Sequence, residues 1–257
     1  MRRILDWTVT ILFAPVFTLV LLAYDVFLRV ASLFGIRAVE RVAVSLQRSL
    51  VRSYRVTGAT LEMELSPAIE EGRSYLIVSN HQSMFDIPLF AWAFPTNNGK
   101  YVTKKQLGAW IPAVSTNLKL GQHPLIDRND RTSAVREISA LGERVERGEV
   151  SAVIFPEGTR ARFGEMKPFK PAGLKTLLET APHAPILPCC LDNSWQLMRY
   201  GFRPVPAGVP LKFCALDPIE RTAGEDIDEL IAKIESRIRA RLAELRGQAS
   251  NIAESGS

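Results

Sequence analysis

Only three of the 257 residues are histidines, so few side chains can act as a base near neutral pH. His123 and His183 each stand beside a proline in stretches that read as loops, with no partner close in sequence. His81 differs. It follows an apolar run, Tyr75-Leu76-Ile77-Val78, and sits in Asn80-His81-Gln82-Ser83-Met84-Phe85-Asp86. On a continuous helix a five-residue step turns side chains by about 140°, so His81 and Asp86 would not meet. On a strand–turn–helix the imidazole sits at the strand's carboxyl end and the carboxylate folds back onto it. Open α/β sheets bind their ligands at that edge. A carboxylate holding one ring nitrogen leaves the other free to take a proton from a hydroxyl. The alternative is that Asp86 only caps the helix that follows.

Other strand ends carry compatible chemistry. The run 151–155 leads into Phe155-Pro156-Glu157-Gly158-Thr159-Arg160. There Gly158 permits a positive φ or close approach, Thr159 supplies a hydroxyl, and Arg160 offers a bidentate fork to an anion. Gly121 to Arg128 delivers Arg128, with Arg131 close behind, and Tyr101-Val102-Thr103 ends in Lys104 and Lys105. Cations gathered at one edge with a His–Asp pair suggest an anionic substrate that reacts through a hydroxyl. For any single Arg or Lys, a solvated surface position is the alternative. The chain has no Gly-x-Ser-x-Gly elbow, no phosphate loop, no dinucleotide fingerprint and no clustered metal ligands. Cys189 and Cys190 fall inside an apolar run and read as core residues. A base without a protein nucleophile favours direct attack by an acceptor hydroxyl on an activated acyl group.

The elements that must position these groups alternate. Strands are predicted at 74–79, 100–103, 124–126, 151–155, 186–191 and 211–215, and helices at 85–93, 132–147, 173–178 and 226–246. That alternation predicts one α/β domain over 56–247, a largely parallel sheet flanked by helices, followed by a flexible tail over 248–257. Composition agrees with a folded chain, 47% hydrophobic and 23% charged, with ordinary Gly and Pro usage. Three cysteines without metal-ligand spacing support neither a disulfide framework nor a zinc module.

Residues 1–55 have another character. From Trp7 to Tyr24 no residue is charged, and as a helix this run is about 27 Å long, near the thickness of a hydrocarbon core. Pro15 predicts a kink, which leaves a shallow or re-entrant insertion open. A cleaved signal peptide or a buried core helix would share the composition. However, no small-x-small site follows Tyr24, and apolar residues continue through Phe34. Over 37–55, a helical wheel places Arg37, Arg41, Arg48, Arg52 and Arg55 within about 60° of each other. Val39, Val42, Ala43, Leu46, Leu50 and Tyr54 fall opposite them. This pattern predicts a membrane-binding pair of helices, the second lying in the headgroup layer of an anionic surface. A surface helix packed on its own domain is the alternative. The net charge of +5 fits an anionic partner, and the arginine row beside an apolar anchor favours lipid over nucleic acid. Positive charge after the anchor would keep the remaining chain on the cytoplasmic side of the cell inner membrane.

Taken together, the motifs resemble those of the 1-acylglycerol-3-phosphate (lysophosphatidic acid) acyltransferases, in the glycerophospholipid acyltransferase superfamily. The first motif matches Asn80, His81 and Asp86, and the second matches Gly121 and Ile126-Asp127-Arg128. Phe155 to Arg160 matches the third letter for letter, and Leu187-Pro188-Cys189 resembles the fourth. The order and spacing agree over roughly residues 55 to 220. His123-Pro124 and Cys189-Cys190 depart from the pattern, at positions that bear on acceptor or acyl-chain preference.

The resemblance implies transfer of an acyl group from acyl-CoA or acyl carrier protein to the hydroxyl of lysophosphatidic acid, giving phosphatidic acid without a metal or redox cofactor. His81 would be the base and Asp86 would orient it. Arg128, Arg160 and Lys104 would hold the phosphate, and Glu157 and Gly158 would help seat the glycerol, beside Thr159. Backbone N–H groups near Ser83 or Gly158 are candidate oxyanion donors. Another lyso-lipid or glycerol phosphate acceptor, a thioesterase, and a non-enzymatic lipid-binding protein remain as alternatives.

Overall fold

The computed structural model describes residues 2–127, 129–222 and 224–247. Arg128 and the 248–257 tail therefore lie outside the described residues. Two helices come first, α1 (Arg2–Ser32) and α2 (Ile36–Tyr54). They are followed by β1 (Thr60–Leu65), β2 (Leu76–Ser79), α3 (Ile87–Ala93), β3 (Gly99–Tyr101) and β4 (Thr103–Lys104). Next come α4 (Val114–Leu120), β5 (Leu125–Ile126), α5 (Arg131–Glu146), β6 (Ser151–Ile154) and α6 (Pro171–Thr180). The chain continues with β7 (Ile186–Asp192), β8 (Pro210–Ala215) and α7 (Ile227–Leu245).

Six strands form the main sheet in the order β1-β8-β7-β2-β6-β3, and β4 pairs with β5 in a small sheet beside it. Strands β3, β6, β2 and β7 run parallel, as expected for a βα alternation. The last two do not. β8 returns antiparallel to β7, and β1 lies parallel to β8. A strand that follows its neighbour through an irregular loop can turn back without a crossover helix. β1 is absent from the sequence reading because it is an edge strand with largely exposed side chains and no apolar run to mark it.

Helices cover both faces, so β2, β6 and β7 are buried along their whole length. On one face Leu76, Val78, Ala152, Ile154, Ile186 and Cys190 pack against α5, α6 and α7. On the other, Ile77, Val153, Leu187, Cys189 and Phe213 pack against α3 and against Phe13, Val51 and Tyr54 of the first two helices. Cys189 and Cys190 thus point to opposite sides of the sheet, and both are free.

Two expectations for the N-terminal segment change. α1 runs unbroken through Pro15, which stands on its exposed side. The apolar face of α2 does not meet lipid. Val39, Ala43, Leu46 and Leu50 are enclosed against Leu28, Ala31 and Ala113, and Val51 and Tyr54 join the core beneath the sheet. Glu40 and Gln47 tie the same helix to Lys100 Nζ (2.8 Å) and Tyr101 Oη (2.9 Å). Of the arginine stripe, Arg37, Arg41, Arg52 and Arg55 remain exposed and Arg48 is half-buried. α1 alone, among the described residues, is long and apolar enough to cross a membrane, and only 11% of its apolar window is buried.

Candidate active site

β2 ends at Ser79, and the next residue locks the turn. Asn80 acts as an extra rung, donating from Nδ2 to the Leu191 carbonyl and accepting the Leu191 N–H, both at 2.8 Å. This fixes the end of β2 against β7 and aims His81 off the carboxyl edge of the sheet. Ser83 then caps a single 3-10 turn, Met84–Asp86, which leads into α3. Asp86 closes a capping box with Ser83 on that turn and binds His81, but its side chain makes no cap hydrogen bond to α3, so the pairing holds and a cap on the following helix does not.

The carboxylate of Asp86 is fully buried and crowded with donors. Its Oδ2 accepts His81 Nδ1 at 2.8 Å, Gln82 N–H at 2.7 Å and Ser83 N–H at 2.9 Å. Its Oδ1 accepts the hydroxyls of Ser83, at 3.3 Å, and Ser194. A carboxylate facing that many donors acts as acceptor, so Nδ1 donates to it and Nε2 is the ring nitrogen left for another partner. The ring lies flat on Phe155, with centroids 4.2 Å apart, and its side chain stays 16% exposed. The arrangement is a held imidazole with one nitrogen open to a substrate.

Glu157 departs from its expected role. It is buried, and its carboxylate accepts the His81 N–H at 2.7 Å and the Lys167 N–H at 2.9 Å. Burial pushes its carboxyl above the ordinary range, against the pull of those N–H groups and the nearby cations. Both oxygens are used inside the protein, so Glu157 props the β2 and β6 loops together instead of meeting the glycerol. The Ala161 N–H to the His81 carbonyl, 2.7 Å, completes that joint. Gly158 has φ +70°, a region only glycine enters at little cost. Thr159 is exposed beside it.

Arg160 is half-buried, with Nη1 3.7 Å from the Met198 sulfur, and it forms no ion pair among the described residues. Lys104 lies exposed in β4, just beyond the carboxyl end of β3. Because β3 runs parallel to β6, Lys104 leaves the same sheet edge as the 155–160 loop. Neither proposed oxyanion donor is free in this arrangement. Ser83 N–H is held by Asp86, and Gly158 N–H by the Phe155 carbonyl at 3.0 Å.

His123 is not a loop residue without partners. It is buried, stacks on Tyr101 and accepts the Tyr101 N–H at 3.0 Å. Burial, with Lys100 and Arg144 nearby, pushes its pKa down to about 3, which keeps it neutral. The departures at His123 and Cys189-Cys190 are thus buried positions.

Sequence reasoning missed a set of supporting residues. Gln82 donates from Nε2 to Asp192 at 3.1 Å, and its Oε1 lies 3.4 Å from Ser194 Oγ. Ser194 itself reaches Asp86 from 108 positions away. The clue in the sequence is that both Asp192 and Ser194 stand at the end of a buried apolar run. Among the described residues, no group of three or more His, Cys, Asp or Glu side chains is gathered as a metal site needs.

The acyltransferase family model matches residues 60–192, which includes His81, Asp86, Lys104, Glu157, Gly158, Thr159, Arg160 and Asp192 but not Ser194. The chain is 31% identical over 163 residues to a 1-acyl-sn-glycerol-3-phosphate acyltransferase of Cocos nucifera, covering 60% of this chain and 52% of that one. It is 35% identical over 158 residues to the enzyme of that name from Helicobacter pylori, covering 61% and 63%. The chain spans about half the length of the first of these relatives. The crystal structure of the 1-acyl-sn-glycerophosphate (LPA) acyltransferase PlsC from Thermotoga maritima superposes with a TM-score of 0.79 at 24% identity. It covers 96% of this chain and 98% of that one, and so shares its fold.

Proposed function

The chain belongs to the acyltransferase family, and on that footing we propose that it acylates 1-acylglycerol 3-phosphate to phosphatidic acid, using acyl-CoA or acyl carrier protein as donor. The observation that carries this reading is the His81–Asp86 pair, 2.8 Å apart with Nε2 open, at the sheet edge. Nε2 takes the proton of the acceptor hydroxyl as its oxygen attacks the thioester carbonyl. Collapse of the tetrahedral intermediate breaks the C–S bond, and the imidazolium returns the proton to the leaving sulfur. Asp86 stabilises the imidazolium between those two events. Arg160, Lys104 and Arg128 are the cations assigned to the acceptor phosphate.

The substrate and product are membrane lipids, and the outer surface suits a monotopic attachment. Along α1, Ile4, Leu5, Ile11, Leu12, Leu19 and Phe27 are exposed, while Thr10, Phe13, Leu28 and Ala31 pack inward. A helix held to its own domain near both ends, through Thr10 and Phe13 and through Leu28 and Ala31, is suited to lie in the interface. Leu33, Phe34 and Trp110 extend the apolar surface, and Trp110 is 97% exposed. Its loop is fastened to α1 where Asp25 accepts the Ala113 N–H at 2.8 Å. Tyr24 of α1 bonds Ser45, on the α2 side that carries Arg41, Arg48 and Arg52, so the cations flank the apolar face. This supports an anionic cytoplasmic leaflet of the inner membrane as the partner.

The test is acyl transfer by the purified full chain, with one acyl-CoA and lysophosphatidic acid, glycerol 3-phosphate or no acceptor. Phosphatidic acid should form only with the first. CoA release that ignores the acceptor would show a thioesterase and overturn the reading.

A further inference from the structure

A cavity of about 570 Å3 lies beyond β7, between the start of α1 and the loop that joins β7 to β8. Arg2 and Arg3 line it from the helix, and Arg199 and Arg203 from the loop. The one carboxylate in its wall is Asp6, which is buried and accepts the Ala207 N–H at 2.8 Å. Four guanidinium groups against one carboxylate leave an excess of three positive charges. None of the four forms an ion pair among the described residues. Arg199 is steadied over the Trp195 and Tyr200 rings, 5.9 and 5.7 Å from their centroids.

Unpaired cations repel, and gathering them around one concave surface suits a multiply charged anion. Guanidinium forks match phosphate oxygens. The volume falls within the roughly 300–1,000 Å3 of small-molecule sites, so a lone phosphate would leave most of it empty. Tyr200, Pro204 and Pro206 add flat apolar wall for the rest of a ligand.

The position links this cavity to the catalytic edge. Ser194 bonds Asp86, and Gln196, two residues further along the same 3-10 turn, already lines the cavity. Pro210, another lining residue, begins β8, which is two strands and therefore about 10 Å from β2.

We propose that this cavity is a phosphate-binding site separate from Arg160, and that it holds the nucleotide phosphates of a CoA-type donor while the thioester reaches His81. The proposal rests on the acyl-transfer reading for the second half of that statement only. A phosphate here has one other source, an anionic lipid headgroup, because Ile4 and Leu5 leave the same end of α1 exposed.

The experiment uses the full chain in neutral detergent and titrates it with CoA and with adenosine 3′,5′-bisphosphate, without turnover. The double variants Arg199→Gln/Arg203→Gln and Arg2→Gln/Arg3→Gln reach the cavity from opposite walls, and all four side chains are exposed. Each pair should raise the Kd for CoA at least about tenfold, and the KM for acyl-CoA in parallel, while the KM for lysophosphatidic acid holds. His81→Ala should bind CoA like the wild type. CoA binding by a wild-type protein that transfers no acyl group would refute the proposed function and leave the site standing. Unchanged CoA binding with a raised KM for lysophosphatidic acid, or with weaker binding to phosphatidic acid vesicles, would assign the cavity to a lipid headgroup and overturn the donor assignment. Unchanged affinity for every phosphate ligand in both double variants would overturn the site itself.

Discussion

Arg246, the first residue past α7, grips the carboxylate of Asp192 through two nitrogens, at 2.7 and 3.1 Å. From Asp192 a chain of hydrogen bonds runs through the side chain and the backbone N–H of Gln82 to Asp86, and so to His81. The end of the last helix is thereby fastened to the proposed catalytic pair. Arg246 also donates to the Gly164 carbonyl at 2.7 Å, which pins the loop after Arg160 to the same anchor.

Arg246→Ala should therefore act at a distance. It leaves Asp192 buried without its counter-charge, which costs about 3 kcal/mol in unfolding free energy. The rate should fall because the pair is loosened, and the KM for the acceptor should rise as the loop after Arg160 is released, while the KM for the donor holds. Denaturant unfolding and steady-state kinetics check both. Asp192→Asn/Arg246→Ala should recover part of the stability. Burial raises the Asp192 carboxyl, but Arg246 and Gln82 outweigh it and hold it below the ordinary value. Its contribution is present above about pH 4 and is lost as pH falls through the lowered value.

His81→Ala should abolish transfer in a folded protein, by at least about 10² to 10⁴ in rate. Asp86→Asn should lose a large part of the activity, since an amide cannot stabilise the imidazolium as a carboxylate does. Ser194→Ala removes one of five donors to Asp86 and should cost far less. His183→Ala is the control, because His183 is an exposed surface residue paired with Glu146. Full transfer by a folded His81→Ala protein would sink the mechanism.

His123 sets an acid limb of stability. It is held neutral in the fold with a pKa pushed down to about 3, against about 6.5 in the unfolded chain. The unfolded state therefore binds the extra proton first. Stability falls as pH drops from about 6.5 towards 3, by about 3 kcal/mol at pH 4.5. His123→Gln should be less stable than the wild type at pH 7, having lost a buried fit, yet lose less on acidification. Parallel slopes for the two proteins between pH 7 and 4.5 would exclude this role.

Membrane attachment should respond to two sets of changes in different ways. Trp110→Ser with Phe34→Ser should weaken binding to neutral and anionic vesicles alike, since each removes apolar contact. Arg37, Arg41, Arg48 and Arg52 to Gln should weaken binding to anionic vesicles only, by about 1 kcal/mol per charge near the surface. Vesicle flotation at two lipid compositions separates them. An equal loss on both compositions in the arginine variant would show that the stripe does not read lipid charge.

Arg160→Ala should raise the KM for the phosphate-bearing acceptor and spare the slow hydrolysis of the thioester by water. Measuring CoA release with and without lysophosphatidic acid decides it. A matched fall in both would make Arg160 part of the loop's structure, through its contact with Met198.

The pairing of His81 with Asp86 was legible in the sequence because it is local. Five residues across a strand end and one turn leave the two side chains little choice once the strand is buried. The strand-and-helix alternation was legible for the same reason, as each element's periodicity is written within its own span. What covers an apolar face is not local. The inner side of α2 looks the same whether lipid or Leu28 and Ala113 will meet it, and only tertiary packing chose protein. Glu157 likewise carries no mark that its carboxylate will be spent on two backbone N–H groups instead of a ligand. The reversal of β8 follows from a connection, 193–209, that carries no crossover α-helix. Ser194, Asp192 and Arg246 reach the site from far along the chain. Long-range hydrogen bonds impose no spacing on the sequence, so only the folded chain brings these partners together.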